Sequence, residues 1–143
     1  MESKLPSANP VELLVDSDFF IALYSSSDTN HQGALLLLEK IRKKEAGLLI
    51  SVLVYSEIVT VLSQRVSQAT ARHFMEDSEM AGLHIAQTTE ELFEKSKAIF
   101  KNQRSKNVSF TDASNIALAR IKGFSSIVSF DRDYSKNGLP LLK

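Results

Sequence analysis

Short apolar runs alternate with helical segments along the whole chain, and this alternation is the feature that most restricts the fold. Val11–Val15, Leu48–Val52 and Ser126–Phe130 are runs dominated by apolar or β-branched side chains. Strands that are apolar throughout, and not only at every second residue, are typical of a parallel sheet covered by helices on both faces. We therefore predict an α/β fold, a single-domain α/β/α sandwich with a central parallel sheet.

The helical segments are recognised by their apolar spacing and by their start and stop residues. Three of the predicted helices are Phe19–Tyr24, Leu53–Arg65 and Ser67–Glu79, and a fourth runs from Ser109 to its stop at Gly123. A fifth is capped by Asp28 or Thr29 and is followed by Gly47, and its apolar positions are Ala34, Leu35, Leu38 and Ile41. A sixth is capped by Thr88 or Thr89 and contains Leu92, Phe93, Ile99 and Phe100. Two further short strands are predicted at Gly82–Ala86 and Leu139–Leu142.

The size and composition of the chain exclude several classes of protein. A chain of 143 residues forms one ordinary domain, and we assign residues 11–143 to it, with residues 1–10 as a flexible lead-in. The absence of cysteine excludes disulfides, thiolate metal sites and cysteine nucleophiles. The formal net charge is zero, so attraction to a nucleic acid must come from local charge.

Four acids lie at or near the carboxyl ends of the predicted strands. Asp16 directly follows the first run, and Asp131 follows the last long run. Glu57 lies early in the helix after the second run, and Asp112 lies in the first turn of the helix opened by Ser109. Ligands of open parallel sheets bind outside the carboxyl ends of the strands, so we expect these four carboxylates to share one site.

Each acid also has an ordinary structural explanation. Asp16 and Asp131 fit turns, and Asp112 stands where a capping box needs an acid. Glu57 fits less easily, because no other charged residue occurs between Ala46 and Gln64. We interpret that stretch as buried core, not as a membrane span, because a carboxylate near its middle would be costly in hydrocarbon.

Converging carboxylates repel one another unless a cation compensates the repulsion. Oxygen ligands without cysteine or paired histidines favour Mg²⁺ or Mn²⁺ over Zn²⁺. In such sites one or two ions activate water and stabilise the leaving oxygen of a phosphodiester. The acids therefore indicate metal-dependent hydrolysis of phosphodiester bonds.

Four segments around these acids resemble the acidic motifs of PIN-domain ribonucleases in their order and approximate spacing. They are Leu13–Asp18, Tyr55–Ile58, Phe110–Ser114 and Val128–Tyr134. Within that family they are most similar to the compact VapC-type toxins of toxin–antitoxin pairs. The resemblance extends from Val11 to about Leu142 and implies an endoribonuclease that hydrolyses RNA. A protein antitoxin and a second copy of the chain are its candidate partners. The absence of cysteine fits a reducing cytoplasm, which is the location that we expect.

The resemblance also assigns roles to individual residues. It implies that the catalytic and metal-binding acids are Asp16, Glu57, Asp112 and Asp131, with Asp133 as an auxiliary metal ligand. Ser17 and Ser129 match positions where the family often has a hydroxyl, and His31 with Ala34 resembles a common pattern in the following helix. Asp18 stands where asparagine is frequent in the family, so its role stays open.

The distribution of charge favours a polyanionic substrate. Lys95–Lys122 holds seven basic residues against one acid, whereas Glu76–Glu94 holds six acids and no lysine or arginine. A basic stretch around a proposed metal ligand is suited to hold phosphates near the metal. The RNA contacts that we predict are Lys101, Arg104, Lys106 and Ser129, and a solvated helix face without a partner is the alternative.

Other functions fit the sequence less well. A PIN-like module that binds RNA or protein without cutting is the main alternative. A haloacid-dehalogenase-type phosphatase would use Asp16 and Asp18, but Phe20 replaces the expected Thr or Val and Glu57 is left unexplained. A receiver domain needs an acceptor aspartate after its third strand and a lysine after its fifth, and neither is evident in this chain. No Gly-x-Ser-x-Gly motif and no glycine-rich phosphate loop occur, so we expect neither a serine hydrolase nor a nucleotide cofactor.

Overall fold

Helices and strands alternate along residues 11–143, the part of the chain that the computed structural model describes. The predicted lead-in, residues 1–10, lies outside the described residues. The elements are β1 (Glu12–Val15), α1 (Ser17–Tyr24), α2 (His31–Lys43), β2 (Gly47–Ser51), α3 (Val52–Arg65), α4 (Gln68–Ala81), β3 (His84–Ala86), α5 (Glu90–Lys101), α6 (Phe110–Lys122), β4 (Ile127–Val128) and α7 (Asp133–Lys136).

The strands form one parallel sheet in the order β3-β2-β1-β4. Leu13 of β1 pairs with Leu48 of β2, and Val15 pairs with Val128 of β4, so β1 lies inside the sheet. Because the strands are parallel, their carboxyl ends share one edge, where the segments following β1, β2 and β4 begin. The predicted α/β/α sandwich with a central parallel sheet is confirmed.

Neighbouring residues of each strand divide between two hydrophobic cores. Val15, Ile50 and Val128 belong to a core that includes residues of α1 to α4. Leu14, Leu49 and Ile127 belong to a second core that includes residues of α5, α6 and α7. Both faces of the sheet are therefore covered, which explains why the strands are apolar throughout.

Side-chain caps fix the starts of four helices. In each case a hydroxyl accepts a hydrogen bond from the backbone N–H three residues later, and the caps are Ser51, Ser67, Thr89 and Ser109. Gly82 and Gly123 end α4 and α6 with φ of 69° and 78°, a left-handed conformation that costs glycine little. The predicted caps at Ser67, Thr89 and Ser109 and the predicted stop at Gly123 are confirmed.

Several predicted details around α2 and α3 were wrong. Val52 begins α3 because Ser51 caps the helix one residue earlier. Asn30 occupies the cap position of α2, and Asp28 instead accepts a hydrogen bond from the Asn30 N–H. Leu35 is exposed on α2.

The end of α2 also differs from the prediction. Gly47 does not end the helix but is the first residue of β2. Glu45 takes the left-handed conformation after α2, with φ of 51°.

Only part of the predicted strand at Leu139–Leu142 is present. Leu141 forms an isolated parallel bridge with Ile127. The Ile127 N–H donates to the Pro140 carbonyl, and the Leu142 N–H donates to the Ile127 carbonyl. Proline has no N–H to continue such a ladder, and β4 offers only two residues for pairing. Helix α7 was not predicted.

The stretch Ala46–Gln64 is not buried throughout. It comprises β2 and most of α3, in which Val54, Ile58 and Leu62 form the buried stripe. Val52 and Leu53 are exposed on the outer side of the helix. Within the described part of the chain, no helix combines the length and the apolar character that a membrane span needs.

Candidate active site

Asp16 is the centre of the group of acids at the carboxyl edge of the sheet. It follows β1 and caps α1, and only 4% of its surface is exposed. Its Oδ1 accepts hydrogen bonds from the Ser17 N–H at 2.7 Å and from Asn115 Nδ2 at 3.1 Å. Its Oδ2 accepts one from the Tyr134 hydroxyl at 2.8 Å.

Three hydroxyl groups each stand between Asp16 and a second carboxylate. The Tyr134 hydroxyl lies 2.8 Å from Asp16 Oδ2 and 3.1 Å from Asp112 Oδ1. The Ser17 hydroxyl lies 2.9 Å from Glu57 Oε2 and 3.4 Å from Asp16 Oδ1. The structure therefore brings Asp16, Glu57 and Asp112 together through single shared donors.

The third hydroxyl belongs to Ser129 and connects Asp16 with Asp18. It lies 2.9 Å from Asp18 Oδ2 and 3.4 Å from Asp16 Oδ2. Asp18 Oδ2 also accepts from the Phe130 N–H at 2.8 Å. Asp18 thus attaches the start of α1 to the loop after β4, while its Oδ1 is buried without a hydrogen-bond partner in residues 11–143.

Asp131 and Asp133 lie in that loop and at the start of α7. The Asp131 N–H donates to the Ser129 hydroxyl at 3.0 Å, and Asp131 Oδ1 accepts from the Asp133 N–H at 2.9 Å. Asp133 pairs with Lys136 at 3.3 Å. Asp131 therefore joins the group through backbone contacts of the loop, whereas Asp133 is partly neutralised by a lysine.

Asp112 combines a structural role with a position in the site. One oxygen accepts from the Ser109 N–H at 2.9 Å, and the Ser109 hydroxyl accepts from the Asp112 N–H at 3.1 Å. This is the capping box that the sequence predicted. The other oxygen contacts Tyr134, so capping α6 and facing Asp16 are both done by one carboxylate.

The surroundings of Glu57 differ from the sequence interpretation. Glu57 is exposed, and the other exposed side chains near it on α3 are uncharged, some polar (Ser56 and Thr60) and some apolar (Val52 and Leu53). The lack of neighbouring charges therefore reflects an uncharged surface and not a buried core. Its hydrogen bond with Ser17 is what turns the side chain towards Asp16.

Burial and mutual repulsion weaken several of these acids. Burial, and then the charge of Asp18, raises the pKa of Asp16 to about 7. Burial raises the pKa of Asp18 to about 6, although its hydrogen bonds oppose the shift. Burial raises the pKa of Asp131 as well, and Asp112 and Asp133 add to that rise.

Tyr134 and Asn115 are members of the site that sequence reasoning did not single out. Tyr134 is buried, and its hydroxyl accepts a hydrogen bond from Asn115 Nδ2 at 2.9 Å. Asn115 is fully buried in a mostly apolar stretch of α6. Because buried polar side chains need partners, an asparagine beside the inner stripe of α6 was a signal that could have identified it.

The predicted RNA contacts are in two different environments. Lys101, Arg104 and Lys106 are exposed at the end of α5 and in the connection to α6. Ser129 is buried, and its hydroxyl is engaged with Asp18 and Asp131. Contact of these residues with RNA stays a prediction, and Ser129 has in addition a structural place within the site.

The donor set fits a hard divalent cation. The grouped side chains offer carboxylate oxygens, and a cation would relieve the repulsion that raises their pKa values. In residues 11–143, no three His, Asp or Glu side chains are grouped closely enough to hold one ion. An ion held by one or two carboxylates with water in the remaining positions, as Mg²⁺ is commonly bound, agrees with this spacing.

Comparisons with known proteins agree with the fold. A family profile described as PIN domain matches residues 13–138. The crystal structure of Mycobacterium tuberculosis VapC20, described as a Sarcin-Ricin loop cleaving toxin, aligns with a TM-score of 0.79 at 23% identity, covering 91% of this chain and 98% of that chain. VapBC2 from Rickettsia felis, bound to a DNA fragment from their promoter, aligns with a TM-score of 0.64 at 14% identity, covering 92% and 98%. Among curated proteins none matches the sequence.

The metal-free protein should lose stability as pH rises from about 4 to about 7. In the unfolded chain these aspartates have an ordinary pKa of 3.8, whereas in the folded chain the pKa of Asp16 is about 7 and that of Asp18 about 6. Between these values the folded state binds more protons than the unfolded state, so the free energy of unfolding falls with pH. Urea denaturation in chelator across this range measures the slope.

Asp16→Asn should flatten that slope, and Glu79→Gln on the exposed side of α4 should leave it unchanged. Equal slopes for Asp16→Asn and wild type would contradict the raised pKa of Asp16.

Tyr134→Phe should lower the free energy of unfolding by about 1–3 kcal/mol, because a buried carboxylate loses its donor while the ring is kept. Urea denaturation in chelator measures the change. Tyr55→Phe is the matched control, since Tyr55 packs against Phe74 outside this network. If both variants lose the same stability, the Tyr134 hydroxyl does not organise the acids.

Proposed function

The chain belongs to the PIN domain family, and we propose that it is an endoribonuclease that hydrolyses RNA phosphodiester bonds with Mg²⁺ or Mn²⁺. The observation that carries the proposal is the connection of Asp16 to Glu57 and Asp112 through the shared hydroxyls of Ser17 and Tyr134. A purely structural cluster has no need to gather three acids at the ligand-binding edge of a parallel sheet.

The proposed metal ligands are Asp16, Glu57, Asp112 and Asp131, with Asp133 as an auxiliary ligand. One or two divalent cations, each held by one or two of these carboxylates and by water, would supply activation of water and stabilisation of charge on the phosphate oxygens. Asp16 and Asp112 are held in fixed orientation by Tyr134, Asn115 and the capping box. Exposed Glu57 lies at the solvent side, where water and substrate arrive.

The biological setting is proposed from the likeness to VapC20 and VapBC2, which shows the fold alone. We propose that the chain is the toxin of a toxin–antitoxin pair, that a protein antitoxin is its partner, and that it acts on cytoplasmic RNA. We also propose that the chain forms a homodimer.

A non-catalytic PIN module that binds RNA or protein is the second candidate. It is favoured by the spacing of the carboxylates, since no three of them in residues 11–143 can hold one ion, and by the full hydrogen bonding of Asp16. The two functions predict opposite results for cleavage, so the following experiments separate them.

Asp16→Asn should abolish RNA cleavage while the protein stays folded, because the amide keeps the shape and removes the anionic ligand. Loss of an outer-shell partner of a metal site typically lowers metal affinity or activity about 10–100-fold, so loss of this carboxylate should lower the rate of cleavage by more than about 100-fold. Cleavage of single-stranded RNA is measured with Mg²⁺, with Mn²⁺ and with chelator. The proteins compared are wild type, Asp16→Asn, Glu57→Gln and the exposed control Glu79→Gln.

Asp112 has its own control because it also caps α6. Ser109→Ala removes the cap hydroxyl and should cost about 1 kcal/mol of stability with cleavage retained, whereas Asp112→Asn should lose cleavage. If wild type does not cut RNA, or if Asp16→Asn cuts as fast as wild type, the non-catalytic module is the correct reading.

Asp131→Asn should melt at a higher temperature than wild type in chelator and should gain less on addition of Mn²⁺. Burial and the repulsion from Asp112 and Asp133 disfavour the charged form of Asp131, and the amide removes that charge. A metal that binds only the folded state raises its melting temperature. Thermal melting with and without Mn²⁺ tests this, and equal gains for both proteins would make Asp131 an ordinary loop residue.

A further inference from the structure

An aromatic cluster with exposed rings lies where α5 packs against the start of α6. Phe93 and Phe100 of α5 are 48% and 42% exposed. Their ring centroids lie 6.2 and 6.0 Å from that of Phe110, the first residue of α6. The sequence placed Phe93 and Phe100 among the apolar positions of α5, but the structure leaves both rings partly in solvent.

Basic side chains alternate with these rings along the chain. Lys97 Nζ lies 4.7 Å from the centroid of the Phe93 ring and forms an ion pair with Glu94 Oε1 at 3.0 Å. Lys101, Arg104 and Lys106 follow Phe100 and are exposed. In residues 11–143 the lysine or arginine side chains with a carboxylate within 4.0 Å are Lys95, Lys97 and Lys136. Lys101, Arg104 and Lys106 therefore have no carboxylate partner in that part of the chain.

The cluster shares the first turn of α6 with one of the acids. Phe110 directly follows the cap residue Ser109 and precedes Asp112 by two residues in the first turn of α6. This separation corresponds to about 3 Å along the helix axis. Side chains two residues apart on a helix do not face each other, so a strand stacked on the Phe110 ring has to pass around the start of α6 to bring a phosphate to Asp112.

We propose that Phe93, Phe100 and Phe110 form a platform on which unpaired bases of single-stranded RNA stack, while Lys101, Arg104 and Lys106 hold the adjoining phosphates. The inference deepens the proposed function, on which it rests for the position of the cleaved bond. Aromatic rings beside a positive groove are the combination that binds single strands without sequence preference, because every base has a π face.

Charge complementarity favours RNA over a protein as the occupant of this surface. The cores of protein interfaces are enriched in aromatic residues but depleted of lysine. Here the exposed rings are interleaved with cations, and three of these cations lack a carboxylate partner. A polyanion with flat, unpaired bases satisfies both the rings and the charges.

Binding is tested without cleavage, in the full chain carrying Asp16→Asn. The probe is a fluorescein-labelled single-stranded RNA of mixed sequence, with the same RNA annealed to its complement as a comparison. Phe93→Leu with Phe100→Leu should weaken binding of the single strand by about 5- to 150-fold, the range expected for the loss of one base stack. Phe93→Tyr, which keeps an aromatic face, should bind like the parent.

The dependence of binding on salt separates the rings from the charges. The leucine variant should lower affinity without changing the slope of log affinity against log salt. Lys101→Gln with Arg104→Gln should reduce the slope by about 1.4, which corresponds to two phosphate contacts of a single strand. Leu36→Ala, at an exposed leucine of α2, is the control for loss of a surface apolar group.

Several outcomes overturn the platform. Unchanged affinity of the leucine variant for the single strand does so, and so does equal weakening for single-stranded and duplex RNA. A leucine variant that instead loses self-association in sedimentation would make this face a contact between two copies of the chain. If the parent binds single strands through the rings but wild type cuts no RNA, the platform stands and the nuclease proposal fails.

Discussion

Repulsion between carboxylates is the constraint that shapes the carboxyl edge of this sheet. Asp16 is nearly excluded from solvent and has acids on three sides. In each direction one neutral hydroxyl, of Ser17, Ser129 or Tyr134, contacts Asp16 and a second acid. Burial and the neighbouring charges raise the pKa values of Asp16 and Asp18, and the hydrogen bonds from Tyr134 and Ser129 partly oppose that rise.

The same hydroxyls connect elements that are distant in the sequence. Tyr134 lies after β4 but reaches acids after β1 and at the start of α6. Ser129 attaches the loop after β4 to the start of α1. The organisation of the acids is thus inseparable from the strand order, because β1 must lie beside β4 for either contact to form.

Features governed by local chemistry were predictable from the sequence. Wholly apolar strands identify a sheet covered on both faces, and Ser67, Thr89 and Ser109 identify helix starts, because each depends on residues within a few positions. Contacts across the fold were not predictable in this way. The role of Tyr134 depends on three elements meeting, and Asn115 is recognisable only once its helix is known to be buried. Glu57 shows the reverse error, since missing charges indicated burial where the residue in fact lies on an exposed, uncharged face of α3.

The two sides of the acidic group differ in how firmly the backbone holds them. Asp16 follows an interior strand that is flanked by β2 and β4, and Asp112 belongs to a capped helix of 13 residues. Asp131 follows a strand of two residues whose outer neighbour is a single bridge at Leu141. Local opening breaks fewer strand hydrogen bonds there than in β1, so we expect amide hydrogen exchange to be faster around Asp131. One half of the group is therefore held by strand pairing inside the sheet, and the other half is held chiefly by the side chains of Ser129 and Tyr134.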